Sequence, residues 1–308
     1  MNRVIHIAKT LRLILAGKSR PFASNPREFT LQDWKYALKA AASAIAAKRI
    51  NILATGIAYF AVFAFFPLVA ASVAIASLVI NYSQLEMILS SIQQFMPADI
   101  AALLTSQLQT AYENQSASII VAVIGVVIAL FSISGAVTNL MSASNAIYEQ
   151  SETRKFVTLR LTSLGLMVCG AVAGLLIVGL LILDARVLQM LGLIAPLAHV
   201  LAALRWVAIL IVVATALAIF YRYSPDRPSP KWQWVSWGSV IAALLWLVGT
   251  AAFVAYARYF ADFSETYSTF AGIIALMMWF NLSGFIILLG GEINYRLENT
   301  TLRNTAKK

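Results

Sequence analysis

The chain has one cysteine and two histidines in 308 residues, and each scarcity removes a class of chemistry. Cys169 by itself can form neither an internal disulfide nor a Cys-x-x-Cys metal cluster. A hydrolytic zinc site needs clustered His and acidic ligands, whereas His6 and His199 lie far apart and are expected on opposite sides of a membrane. Neither histidine has a neighbouring carboxylate in the sequence to share acid–base work, and no Walker A or Gly-x-Ser-x-Gly sequence occurs. No cofactor is implied. Charge is the other shortage: 12% of the residues are charged, against about 25% in an ordinary soluble domain. With 60% of the residues hydrophobic, a water-soluble shell cannot be assembled.

What the chain does have is long uncharged runs, at residues 50–85, 114–148, 161–183, 206–221, 232–257 and 266–291. A bilayer core of about 30 Å is crossed by about 20 apolar residues, and charge at its centre is expensive. The runs therefore predict an all-α polytopic membrane protein with six transmembrane helices, at about 56–80, 118–141, 161–183, 201–221, 237–256 and 270–289. The stretch 187–221 is broken by Gly192, Pro196, His199 and Arg205, so residues 187–200 read as a short interfacial or re-entrant piece rather than a seventh span, with Arg205 of the fourth span expected to snorkel outward.

The net charge of +10 suggests nucleic acid until the cations are located. Twenty of the 23 Lys and Arg residues fall in alternate segments, beginning with the one before the first span, while Asp and Glu divide almost evenly. That is the positive-inside pattern, so both termini are expected in the cytoplasm of a bacterial cell, membrane lipids are the expected partners, and nucleic acid is not. Residues 1–49 form a basic amphipathic segment ahead of the membrane domain at 50–296, and residues 297–308 a cytoplasmic tail. Lys9, Arg12 and Lys18 interrupt what a cleavable signal peptide would need as an apolar core.

Within the amphipathic segment, Val4, Ala8, Leu11 and Leu15 share one helical face, and Leu31, Trp34, Leu38, Ala41 and Ile45 another. The outer loop 81–117 lacks any basic residue but spaces its apolar positions as two short amphipathic helices, a cap over the bundle or a docking surface for a periplasmic or envelope protein. Pro67 predicts a kink in the first span, either a hinge or a static bend. Gly170 and Gly174 would permit close helix packing within the monomer, and Trp232, Trp234 and Trp237 fit an interfacial belt.

Several pieces together resemble the YihY/BrkB family of bacterial inner-membrane proteins: Phe131-Ser-Ile-Ser-Gly-Ala136, Asn145-Ala-Ile-Tyr148, the Pro225–Trp232 loop, Trp246, Tyr256, Tyr267, and Trp279 through Leu289-Gly-Gly-Glu-Ile-Asn294. They occur in the family's order from about residue 40 to 296. Where the family usually has Tyr-Gly before the last span, Ser268 follows Tyr267 here. The resemblance implies six spans with cytoplasmic termini. It also brings a ribonuclease BN label, for which this chain lacks the chemistry set out above, so no enzymatic activity is expected.

The candidate functional residues are polar groups in or beside the spans. Glu292 follows the last span, with Asn294 beyond it. A carboxylate so near hydrocarbon is usually paired or functional, the pairing candidates being Arg154, Lys155 and Arg160. Those three cations are also candidate contacts for anionic headgroups. Asn139, Asn145 and Tyr148 line the inner end of span 2, suited to interhelical hydrogen bonds or to substrate, and Asn281 in mid-span 6 is expected to face the bundle interior. Tyr256 and Tyr267 read as interfacial aromatics. Two functions fit: a transporter or flippase-like handler of a lipid or other amphiphile in envelope biogenesis, and a non-transporting scaffold that docks a partner through its outer helices.

Overall fold

The computed structural model describes residues 28–77, 80–93, 101–102, 105–106, 109, 118–190, 192–227, 232–259 and 268–299. The amphipathic stretch at 1–20 with His6, most of the second outer helix, Tyr267 and the tail beyond 299 lie outside them. The bounded helices are α1 Leu31–Ala47, α2 Ile50–Ser77, α3 Tyr82–Gln93, α4 Ser118–Ile147, α5 Phe156–Ile182, α6 Ala185–Met190, α7 Ala195–Tyr223, α8 Trp232–Tyr259 and α9 Ser268–Asn299, and no strand occurs among the described residues.

Six helices have 27 to 32 residues, so each is about 40 Å or more in length. Among the described residues, Ile50–Leu68, Phe156–Ile182, Ala195–Tyr223, Val235–Ala257 and Gly272–Asn299 are long and apolar enough to cross a membrane. The chain is thus an all-α, multi-pass membrane protein. The remaining long helix, α4, has no charged residue over its 30 positions and stands in the same bundle.

Neighbour relations close the long helices into a circuit in the order α2, α4, α5, α7, α8, α9 and back to α2. Helix α9 also touches α1 and α4. It is the hub: 39% of its apolar window is buried, against 0% for α5. Ile209, Val213, Leu217, Val235, Ala242 and Ile286 form one core between α7, α8 and α9. Ile50, Ile57, Ala143, Ile147 and Leu288 form a second where α2, α4 and α9 meet. Elsewhere large apolar side chains point outward, as expected where lipid is the solvent.

The structure shifts several expectations. Helices α4, α5, α8 and α9 extend one to three turns past the expected inner span ends, because a helix persists after its surroundings turn polar. Helix α1 buries Asp33, Ala37, Ala41 and Ala44; of the expected apolar face Ala41 is buried, Trp34 and Ile45 are half-buried against the bundle, and Leu31 is 80% exposed. Small residues win that face because α1 lies close against Ile293 and Leu297 of α9. Trp237 packs at 5.4 Å against Trp34 in the same place, so it is a bundle contact rather than only a headgroup anchor. Pro196 starts α7 instead of breaking it, since a missing N–H costs nothing in a first turn. Residues 185–190 form a six-residue helix leaning on α7, too short to span. Arg205 reaches back towards the 183–194 connection, its Nη1 donating to the Leu181 carbonyl in the last turn of α5 at 3.2 Å. A Cβ added at Gly170 or Gly174 would meet nothing within 4 Å, so these glycines do not mediate a close contact inside the monomer. Helix α2 continues on both sides of Pro67.

Candidate functional site at one end of the bundle

The start of α2, the end of α4, the start of α5, the end of α7, the start of α8 and the end of α9 meet at one end, where polar side chains join loops far apart in sequence. Asn145 is the first junction. Its Oδ1 accepts from the Asp226 backbone N–H at 2.7 Å, and its Nδ2 donates to Glu152 at 2.8 Å. Glu152 receives Nε and Nη2 of Arg154, both at 2.7 Å, and Nη2 also donates to the Ser224 carbonyl at 2.8 Å. Thr153 donates from its backbone and hydroxyl to Asp226 at 2.7 and 2.6 Å. The 149–155 loop is thereby stitched to residues 224–227. The Arg154 fork holds the Glu152 carboxyl below the usual carboxylate range, and the Thr153 hydroxyl does the same for Asp226.

Glu292 is the second junction. It is 0% exposed and lies between Lys48 Nζ at 2.8 Å and Arg296 Nε at 2.6 Å. Its partners are therefore not Arg154, Lys155 or Arg160 but a lysine from the turn between α1 and α2 and an arginine one turn along α9. Lys48 also donates to the Ile147 carbonyl, pairs with Glu149 at 3.2 Å, and sits 4.2 Å from the centre of the Tyr295 ring. Burial alone would raise the Glu149 carboxyl, but the Tyr295 hydroxyl and Lys48 outweigh it and lower the pKa.

Two left-handed residues shape this cluster, Arg49 at φ 51° and Glu149 at φ 55°. At the end of α4, Gln150 N–H donates to the Asn145 carbonyl at 2.9 Å and Glu149 N–H to the Ala146 carbonyl at 3.3 Å, the paired bonds of a Schellman cap. Glycine usually fills that left-handed position, and here a glutamate directed at Lys48 fills it instead.

The third junction surrounds Tyr148, buried after α4 with its ring edge-on to Tyr295 at 6.1 Å and the Arg227 guanidinium 4.3 Å from its centre. Arg227 pairs with Glu298. Burial pushes the Tyr148 hydroxyl well up, with Arg227 opposing. Asn294 accepts from Gly238 N–H at 2.8 Å, joining α9 to α8, while its Nδ2 and the Tyr148 hydroxyl are buried without a partner in hydrogen-bond geometry. The helices nearly touch there: a Cβ on Gly238 would lie 2.3 Å from Asn294 Oδ1, and one on Gly290 would lie 2.4 Å from Tyr221 Oη.

The other expected residues lie elsewhere. Asn139 stands on α4 opposite Gly56, whose added Cβ would be 3.9 Å from its Oδ1. Asn281 does not face the bundle interior. Its Nδ2 donates to Thr55 Oγ1 at 3.0 Å on the flank between α9 and α2, and it lines an open notch of about 290 Å³ with Asn51, Met278, Leu282 and Phe285. Thr55 and Asn51 are exposed beside it. Lys155 is exposed at the start of α5, and Arg160 reaches Ser134 on α4. No motif or spacing in the sequence singles out Lys48, Glu149 or Arg227. Lys48 was legible only as one of ten cations before the first span, with nothing to show that the α1–α2 turn folds beneath α9. Among the described residues no group of three or more His, Cys, Asp and Glu is placed to hold a metal ion.

A family model described as virulence factor BrkB matches residues 41–308. The ribonuclease-like protein YfkH of Bacillus subtilis is 30% identical over 213 residues, 67% of this chain and 76% of that protein. A UPF0761 membrane protein of Idiomarina loihiensis is 28% identical over 33% of this chain and 36% of its own length. Another, of Tolumonas auensis, is 34% identical over 25% of this chain and 26% of its own. No solved structure matches.

Proposed function

Since the chain belongs to the BrkB family of multi-pass bacterial membrane proteins, we propose that it handles an amphiphilic, lipid-like substrate through the notch between α2 and α9. One observation carries this reading: the notch presents Asn51 and Asn281 beside Met278, Leu282 and Phe285 and opens on the flank of two membrane-crossing helices. An amide and a hydroxyl on a lipid-facing flank lack water as a partner, whereas a headgroup or ester oxygen can bond them while its acyl chains cover the apolar wall. The topology proposed with it has six spans and both termini cytoplasmic. It is supported by the gathering of alternate helix ends at one end and by the bias of Lys and Arg to the same segments.

The protein acts here as a non-enzyme. The ribonuclease-like name belongs to the Bacillus subtilis relative, and the described acidic groups at the inner end are engaged by cations and loop donors rather than set as an acid–base pair facing open space. The test is movement of a fluorescent phospholipid across proteoliposomes containing the full chain. Parent protein is expected to accelerate redistribution and Asn281→Leu to slow it. No acceleration for any headgroup would remove the reading.

A second reading, a non-transporting scaffold, is favoured by the saturation of the Glu292 junction, which resembles a lock more than a gate. It would dock an envelope partner through the outer side, where α3 leans on α5 and Met87 is exposed. A photoreactive group at Leu89 distinguishes the two, because a scaffold gives one protein adduct and no lipid adduct.

A further inference from the structure

Between α4 and α5, away from both the junctions and the notch, a guanidinium stands without an acid. Arg160, one turn into α5, donates from Nη1 to Ser134 Oγ at 2.9 Å, and that oxygen lies 3.3 Å from Ser163 Oγ. Both serines are buried and Arg160 is half-buried. The other paired cations of this end each have a carboxylate: Lys48 has two, and Arg154, Arg227 and Arg296 have one each. Among the described residues no carboxylate forms an ion pair with Arg160. A guanidinium has five N–H donors, and the serine takes one.

The surroundings indicate what takes the rest. Phe131, Phe156, Val157 and Leu161 flank the seam with 79%, 71%, 66% and 63% of their surface exposed. The Phe156 ring lies over the guanidinium at 5.3 Å. In a membrane-crossing helix such side chains face acyl chains, where a cation without a counter-ion is expensive. Arginine's planar fork matches two oxygens of a phosphate, and Ser134 fixes its direction.

We propose that the α4–α5 seam binds the phosphodiester of an anionic phospholipid, with Arg160 as the fork, Ser134 and Ser163 as its support, and acyl chains along Phe131, Phe156 and Leu161. A free phosphate would satisfy the fork but leave the apolar flank unused, so the seam commits to lipid. The site requires lipid binding and no lipid movement, so it is separate from the notch and survives failure of the redistribution assay.

The test titrates phosphatidylglycerol onto the full chain in detergent and counts retained lipids by native mass spectrometry. Parent protein is expected to hold one phosphatidylglycerol about tenfold more tightly than Arg160→Gln, a factor worth about 1.4 kcal/mol. Phosphatidylcholine, whose phosphodiester is neutralised by its own choline, should bind parent protein more weakly than phosphatidylglycerol, and inorganic phosphate should not displace the lipid. Equal phosphatidylglycerol affinity in parent and variant overturns the site. Displacement by inorganic phosphate overturns the lipid assignment in favour of a soluble anion. If Arg160→Gln does not fold, Arg160→Lys keeps the charge and loses the fork: a several-fold fall in affinity supports the site, and unchanged affinity overturns it.

Discussion

Glu292→Gln keeps the shape of a fully buried side chain and removes the charge that holds two cations. Lys48 and Arg296, at 2.8 and 2.6 Å, would then face a neutral amide. Removing one partner from a buried ion pair costs about 3–5 kcal/mol, chiefly because the other charge is stranded. Both cations have partial relief. The Arg296 side chain is 24% exposed and can turn outward, and Lys48 keeps Glu149 at 3.2 Å. The expected loss therefore lies at the lower end, about 3 kcal/mol. Glu149→Gln gives the internal control, since that carboxylate is 53% exposed and such pairs contribute about 0–1 kcal/mol. Unfolding of purified protein in mixed micelles titrated with SDS, followed by tryptophan fluorescence, measures both. Adding Lys48→Met to Glu292→Gln should recover part of the loss, because the double change leaves one fewer stranded charge. If Glu292→Gln is as stable as parent, or if the two glutamine variants lose the same amount, the buried junction does not hold the bundle end together.

Gly238→Ala would bring a methyl group to 2.5 Å from the Gly290 carbonyl oxygen, so separation of α8 from α9 and a loss of about 1–3 kcal/mol are expected in the same unfolding assay. Gly174→Leu points into open space and should leave stability unchanged within about 0.5 kcal/mol. Arg49→Gly relieves a left-handed residue and should stabilise by up to about 1 kcal/mol. The Glu152 and Asp226 carboxyls are lowered in the folded protein, so the stability they add is fully present above their unfolded values of about 4 and is lost as pH falls through the folded ones. Proteolysis at the 149–155 loop should accordingly stay constant from neutral pH down to about 4 and rise only below that.

The spans were legible because lipid imposes a requirement on composition over some twenty consecutive positions, and that requirement survives any arrangement of neighbours. Which face of a helix is buried is set by the neighbour, and this is where expectation and structure part. The stripe of Leu31, Trp34, Leu38, Ala41 and Ile45 has the correct period for a buried face and Ala41 is indeed buried, yet the close crossing with α9 shifts the centre of that face to Ala37, Ala41 and Ala44 and leaves Leu31 and Leu38 exposed. Glu292 stood out as a carboxylate near hydrocarbon, but its partner is separated from it by 244 residues, and no local pattern announces such a pair. Gly170 and Gly174 show the converse: spacing that permits a close contact does not create one without a helix opposite.

Helix α9 is made after every other described helix, yet it is the element against which α1, α2, α4 and α8 all rest. The earlier spans therefore enter the membrane before their centre exists, held only by neighbours along the circuit, with Lys48 lacking Glu292 and Arg227 lacking Glu298. Completion waits on the final insertion, which delivers the hub and both missing carboxylates in one event. A ribosome that stalls before residue 292 would leave an assembled fence with no post, displaying Arg227 without its carboxylate and Lys48 with only Glu149 to whichever quality-control protease surveys that face of the membrane.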